Sequence, residues 1–138
     1  MKLLSLQEVE YVAFKIAQAV MTKNEPIPDF SSRFEGVLES CLAAPFQKYG
    51  GQYVYSGLTA KAANLFYLMV KNHPFENGNK RIAITTLMVF LASNNKWLEV
   101  DQKEFYNFAV WVASSPATLK DEVVQGVEKF LKKYLVSL

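Results

Sequence analysis

Two runs of apolar residues at helical spacing lie almost end to end in this chain, parted only by the loop at 74–79. Ala62, Leu65, Phe66, Met69, Val70 and His73 recur at intervals of three and four after Thr59, and so do Ile84, Leu87, Met88 and Leu91 after Lys80. That period predicts two amphipathic helices. Pro74 disfavours the helical conformation at the residue before it, so the first helix and its buried stripe end at His73. With so short a connection, the end of one helix faces the start of the next.

The flanking sequence is punctuated in the same way. Ser5 with Glu8 three residues on is a capping-box pattern, followed by Val9, Val12, Ala13, Ile16 and Val20 on one face. Pro26 and Pro28 close that helix, and Gly36 to Ala44 reads as a short second helix stopped by Pro45. The stretch YGGQYVYSGL at 49–58 has too many glycines for a helix and reads as a loop, with a short hairpin or flap as the alternative. Asn94–Asn95 supplies a helix exit. Asp101 with Glu104 precedes Phe105, Phe108, Ala109 and Val112, and Ser115–Pro116 opens a last helix carrying Val123, Val127, Phe130, Leu131 and Tyr134. No internal repeat or linker interrupts the pattern. The expectation is one all-α domain of about six helices spanning residues 1–138.

Composition limits the partners. Of 138 residues, 51% are hydrophobic, enough for a real core. Lys plus Arg total 15 against 13 acidic residues, a net of +2, with no cationic block that would argue for nucleic acid or an anionic membrane. The longest apolar segment, IAITTLMVFLA at 82–92, is too short to cross a bilayer, and the N-terminal residues do not form a signal peptide. The single cysteine, Cys41, reads as a small buried hydrophobe in a reducing compartment. The chain therefore reads as soluble and cytoplasmic.

The loop carries the chemistry. His73 is the only histidine, Gly78 stands between Asn77 and Asn79, and Lys80 and Arg81 follow at once. A helix that starts beyond a glycine loop directs backbone N–H groups and a positive dipole end outward, which suits phosphate. Two cations at a helix start are unfavourable for the dipole, and their presence there points to function. A lone histidine on an apolar stripe reads first as a core residue. Beside an anion site, it becomes a group able to take a proton from a hydroxyl near neutral pH. Phe75 reads as a core anchor for the loop, and Asn79 as the N-cap of the following helix.

The eleven residues HPFENGNKRIA at 73–83 resemble the motif of the Fic/Doc family, most closely its Doc (death-on-curing) branch with H-x-F-x-D-[AG]-N-K-R-x-A. The broader Fic pattern is H-P-F-x-[DE]-G-N-G-R-x-x-R. The resemblance extends over EGVLESCLAAPFQKYGG (35–51) and LTAKAANLFYLMVKN (58–72) and runs on to about Asn95, nearly half the chain. It implies a Fic fold with the HPFENGNKR loop between two central helices, and transfer of part of a nucleotide to a protein hydroxyl. Fic branches move AMP. Doc toxins move the γ-phosphate of ATP to translation elongation factor Tu and are neutralised by an antitoxin protein. Lys80, where Fic enzymes have glycine, and Ile84, where they have a second arginine, favour the Doc type.

Carried over residue by residue, the resemblance makes His73 the general base. Gly78, Asn79, Lys80 and Arg81 become the phosphate- and nucleotide-binding group, and Asn77 the residue nearest Mg²⁺. ATP is the implied substrate and Mg²⁺ the implied cofactor, with a target protein and an antitoxin as partners. Asn77 replaces the family's acidic metal ligand with an uncharged amide, and Glu76 stands one residue early, where the loop is expected to aim it elsewhere. The alternatives are AMP transfer and a catalytically silent nucleotide-binding module. SSRFEG at 31–36 matches the loose pattern of an inhibitory helix in Fic proteins, but Ile84 removes the arginine such a glutamate would pair with, and Glu35 reads as the start of a helix.

Overall fold

A computed structural model describes residues 1–20 and 27–138. It is all-α in its core, as expected. Leu6–Glu8, Val9–Phe14 and Lys15–Val20 run on from one another as one helix, α1. The others are α2 (Val37–Ala43), α3 (Leu58–Lys71), α4 (Asn79–Ser93), α5 (Gln102–Ser114) and α6 (Lys120–Tyr134), six helices among the described residues. Pro26, read as ending α1, and the side chain of Val20 lie outside that description.

The capping box of α1 forms: the Ser5 hydroxyl accepts from the Glu8 N–H, and the Glu8 carboxylate accepts from the Ser5 N–H, both at 3.1 Å. Beyond it, Val9–Phe14 is wound as a π-helix. Its i→i+5 bonding holds more residues per turn than the 3.6 of an α-helix, so the inward positions fall four and five apart. Val9, Ala13, Phe14 and Ala17 are therefore buried, whereas Val12 and Ile16 are more than 40% exposed. The face read at α-helical spacing is corrected at those two positions.

α3 and α4 form the centre. α3 packs against α2, α4, α5 and α6, and α4 against α1 and α5 as well. Every residue of α4 from Arg81 to Leu87 is buried, and a helix apolar nearly all round belongs in the middle of a domain. Thr85 satisfies its hydroxyl within the helix by donating to the Arg81 and Ile82 carbonyls.

The remaining elements frame this pair. Asp101 caps α5 by accepting from the Lys103 and Glu104 N–H groups. α6 begins at Lys120, one 3₁₀ turn later than Ser115–Pro116 suggested. In the glycine-rich stretch the hairpin alternative is the one observed. β1 (Lys48–Tyr49) and β2 (Gln52–Tyr53) pair antiparallel across Gly50–Gly51, both at positive φ as a tight hairpin turn requires. A second antiparallel pair, β3 (Lys96–Leu98) with β4 (Leu135–Ser137), joins the exit of α4 to that of α6. Glu35 lies exposed in the turn before α2, and residues 31–36 form no regular α-helix. Cys41 is buried, and burial pushes its thiol up to about 11, only partly offset by a hydrogen bond with Asn72. Among the described residues no helix is long and apolar enough to cross a membrane.

Candidate active site

α3 ends at Lys71, where the Asn72 N–H donates to the Leu68 carbonyl at 2.9 Å. His73 follows at φ +49°, in the left-handed conformation that often ends a helix but that residues other than glycine seldom adopt. Pro74 disfavours the right-handed alternative. The turn carries the imidazole off the stripe: Met69 and Val70 are its last buried members, and His73 is exposed. The reading of His73 as the end of the buried stripe is corrected, and the correction leaves its ring accessible to a substrate.

Such a backbone costs about 1–3 kcal/mol and persists only where its surroundings hold it. Three contacts do so here. The Phe75 ring is fully buried and meets Phe14 at 5.3 Å and Phe30 at 5.9 Å, as a core anchor should. The Pro74 carbonyl accepts from the Phe34 N–H at 2.9 Å. The Asn79 side-chain amide accepts from the Phe75 N–H at 3.0 Å and donates to the Phe75 carbonyl at 2.8 Å.

Gly78, at φ +74°, is the N-cap of α4, a conformation in which a side chain would be strained. Asn79 is thus the first helical residue and not the cap. Its amide oxygen and one amide hydrogen are taken by Phe75, and its backbone N–H stands at the helix start, where such groups meet anions.

Val70, His73, Glu76, Asn77, Asn79, Lys80 and Ala113 line a concavity of about 170 Å³ at this helix start. The proposed base, the asparagine of the metal position and one cation therefore share one wall-to-wall space. Arg81 does not line it. Each helical residue is rotated by about 100° from the one before, so neighbours in sequence leave the helix in different directions. Arg81 is buried, its guanidinium 4.5 Å from the centroid of the Tyr106 ring and Nη1 3.3 Å from the Tyr106 hydroxyl. Glu76 does line the concavity, contrary to the expectation that the loop would aim it elsewhere. The left-handed turn at His73 changes the direction of the loop that follows.

Mg²⁺ uses one or two carboxylates together with substrate phosphates and water, so the Glu76 carboxylate beside the Asn77 amide is a fitting donor set. Among the described residues no cluster of three or more acidic, histidine or cysteine side chains would hold a metal without such phosphates.

A sequence model of the Fic/DOC family matches residues 5–91, from the capping box of α1 almost to the end of α4. The match covers more than half of the chain and every polar residue that lines the concavity. The chain belongs to the Fic/DOC family. No curated protein and no solved structure gives a match. Fic/DOC proteins are in general transferases that modify other proteins.

Lys61 is a buried cation that motif spacing does not single out. On α3 of this Fic/DOC protein it is 2% exposed, donates to the Tyr55 carbonyl, and lies 4.0 Å from the centroid of Tyr53. Burial lowers its pKa. Its signal was a lysine on the apolar side of a helix, next to Ala62. A larger, open concavity of about 650 Å³ at Met1, Lys2, Leu58, Ser93, Asn94 and Asn95 lies at the far end of α4 and has no acid, imidazole or thiol.

Proposed function

We propose that this protein is a Doc-type phosphotransferase, which moves the γ-phosphate of ATP to a hydroxyl of a target protein and is held in check by an antitoxin. The family's target, translation elongation factor Tu, is the first candidate. The observation that carries the reading is the juxtaposition of His73 and Lys80 on one concavity at the start of α4. Ile84 adds to it: 8% exposed within the core, it leaves no arginine at the position where Fic enzymes bind the distal phosphate.

The residues divide the work as follows. His73 takes the proton as the target's hydroxyl oxygen attacks the γ-phosphorus, and the bond from that phosphorus to the ADP oxygen breaks. Lys80 and the N–H groups at the helix start offset charge on the phosphoryl oxygens. Gly78 gives the loop the turn that directs those groups at the anion, and Arg81 would reach a phosphate by leaving Tyr106. Asn77 and Glu76 would hold Mg²⁺, which when bound supplies further neutralisation of phosphate charge. A space of about 170 Å³ takes the phosphoryl end of ATP, since whole drug-sized ligands fill 300–1,000 Å³.

The test is transfer of radiolabel to purified elongation factor Tu from ATP labelled at the γ- or the α-phosphorus. Label from the γ-position, lost in His73→Ala, is the expected result. Label from the α-position would replace this reading with AMP transfer. Nucleotide binding with no transfer to this target or to proteins of a cell extract would leave a silent binding module.

A further inference from the structure

The orientation of the Asn79 amide is fixed by its partners. Turned over, it would set its NH₂ against the Phe75 N–H and its oxygen against the Phe75 carbonyl. One amide hydrogen remains after these two bonds, and Nδ2 stands 3.5 Å from Nδ1 of His73. A neutral imidazole has one N–H and one lone pair. A hydrogen on Nδ1 would meet the amide hydrogen head on, whereas a lone pair there receives it. Asn79 is 6% exposed, so solvent screens this preference little on the amide's side.

We propose that Asn79 is a positioning residue for His73: it holds the neutral ring in the tautomer protonated at Nε2, so that the lone pair which takes the substrate's proton is on Nδ1. The inference rests on the reading of His73 as the base. His73 and Asn79 line the same concavity, and Nδ1 is the ring nitrogen within reach of Asn79. In the transfer step the hydroxyl O–H bond breaks and Nδ1–H forms, leaving an imidazolium. The new O–P bond replaces the bond from phosphorus to ADP, whose oxygen keeps the electron pair. A contact of 3.5 Å is weak enough to be given up as the hydroxyl approaches, where a short bond would compete with the substrate. One amide thus sets both the shape of the loop and the nitrogen that works.

Because His73 is the only histidine, a long-range ¹H–¹⁵N spectrum of ring-labelled protein contains a single imidazole pattern. At alkaline pH, with the ring neutral, the folded protein should show a bare Nδ1 and a protonated Nε2, while the urea-unfolded chain averages the two tautomers. Asn79→Asp presents only acceptors to Nδ1, so in the folded variant the proton should move to Nδ1. Transfer should then fall roughly a hundredfold or more, the scale of general-base catalysis. Circular dichroism checks that the variant folds. A wild-type ring averaged as in the unfolded chain, or a folded Asn79→Asp with the wild-type pattern, overturns the proposal. If Asn79→Asp does not fold, the wild-type pattern decides: a single tautomer with bare Nδ1 supports it and any other pattern overturns it. Failure of the functional reading is separate, since it would appear as no transfer by a wild-type protein whose tautomer is fixed.

Discussion

The ring of Phe75 packs 5.3 Å from that of Phe14, and this contact ties the loop of the site to the π-wound part of α1. Phe30 closes the group, 5.3 Å from Phe14 and 5.9 Å from Phe75. Removing the Phe75 ring should therefore act on both stability and the site. We expect Phe75→Ala to lose about 3–5 kcal/mol, the range for a buried phenylalanine. Transfer by the fraction still folded should fall as well, because the backbone at His73 loses a support. Denaturant unfolding with stability unchanged to within about 1 kcal/mol would contradict the anchoring role.

Lys80 and Arg81 should separate on mutation, since only Lys80 lines the concavity. Lys80→Ala is expected to weaken ATP binding by roughly ten- to a hundredfold, the loss of one charge-assisted contact worth about 1.5–3 kcal/mol. Arg81→Ala should in addition lower stability, because its guanidinium is packed on Tyr106. Titration calorimetry and thermal unfolding of both variants give the comparison. An unchanged ATP affinity in Lys80→Ala would reduce that residue to a solvated side chain.

For the metal position, the shared space of Glu76 and Asn77 makes two opposite expectations. Asn77→Asp adds a carboxylate and should tighten Mn²⁺ or Mg²⁺ in the nucleotide complex, while Glu76→Gln removes one and should loosen it. Without metal, Asn77→Asp should bind ATP less well through repulsion of the phosphates. Electron paramagnetic resonance of Mn²⁺ reads metal affinity directly, apart from turnover. Identical Mn²⁺ titrations for wild type and both variants would remove these residues from the site.

Lys61 underlies the β1–β2 hairpin through the Tyr55 carbonyl and the Tyr53 ring. Lys61→Met keeps the apolar stem and removes the donor. Amide exchange at Tyr53, Val54 and Tyr55 should speed up while α3 and α4 stay protected. Uniform acceleration across all helices would mean that Lys61 holds the core and not the hairpin.

Cys41 gives a pH signature. Its folded thiol is raised from 9.0 to about 11 by burial, so the unfolded chain releases the proton first. The stability this represents is complete below pH 9 and is lost as pH rises through 11. Wild type should lose stability faster than Cys41→Ala across that window, and the variant cancels the contributions of Lys61 and Tyr67, which both chains share. Parallel slopes would show that the thiol titrates alike in both states.

Much of this was legible beforehand where the information is local. The Ser5–Glu8 box, the Asp101 cap and the stripes of α3 and α5 follow from spacing alone, and Phe75 from an aromatic beside Pro74. Other features depend on contacts distant in sequence or on a single backbone angle. Nothing within Lys96–Leu98 signals pairing with Leu135–Ser137, since each strand is three residues long. The exposure of His73 turns on one left-handed residue, and the places of Glu76 and Arg81 follow from the direction of the loop and the helical rotation. Motif spacing names the residues of a site more reliably than the direction in which each one faces.

The wide turn of α1 bears on how this chain tolerates changes of length. A helix that takes in one extra residue without turning its flanks can hold it as a π-wound segment. Deleting one residue between Val9 and Phe14 would let α1 close as an ordinary α-helix, with the Ser5–Glu8 cap and the face of Ala17 still in register. The same deletion in α4 has no slack to draw on, and every side chain beyond the cut would swing by about 100° within a fully packed core. Of α1, which meets the loop of the site through Phe14, and α4, which begins at its end, the first is expected to tolerate the loss of a residue and the second is not.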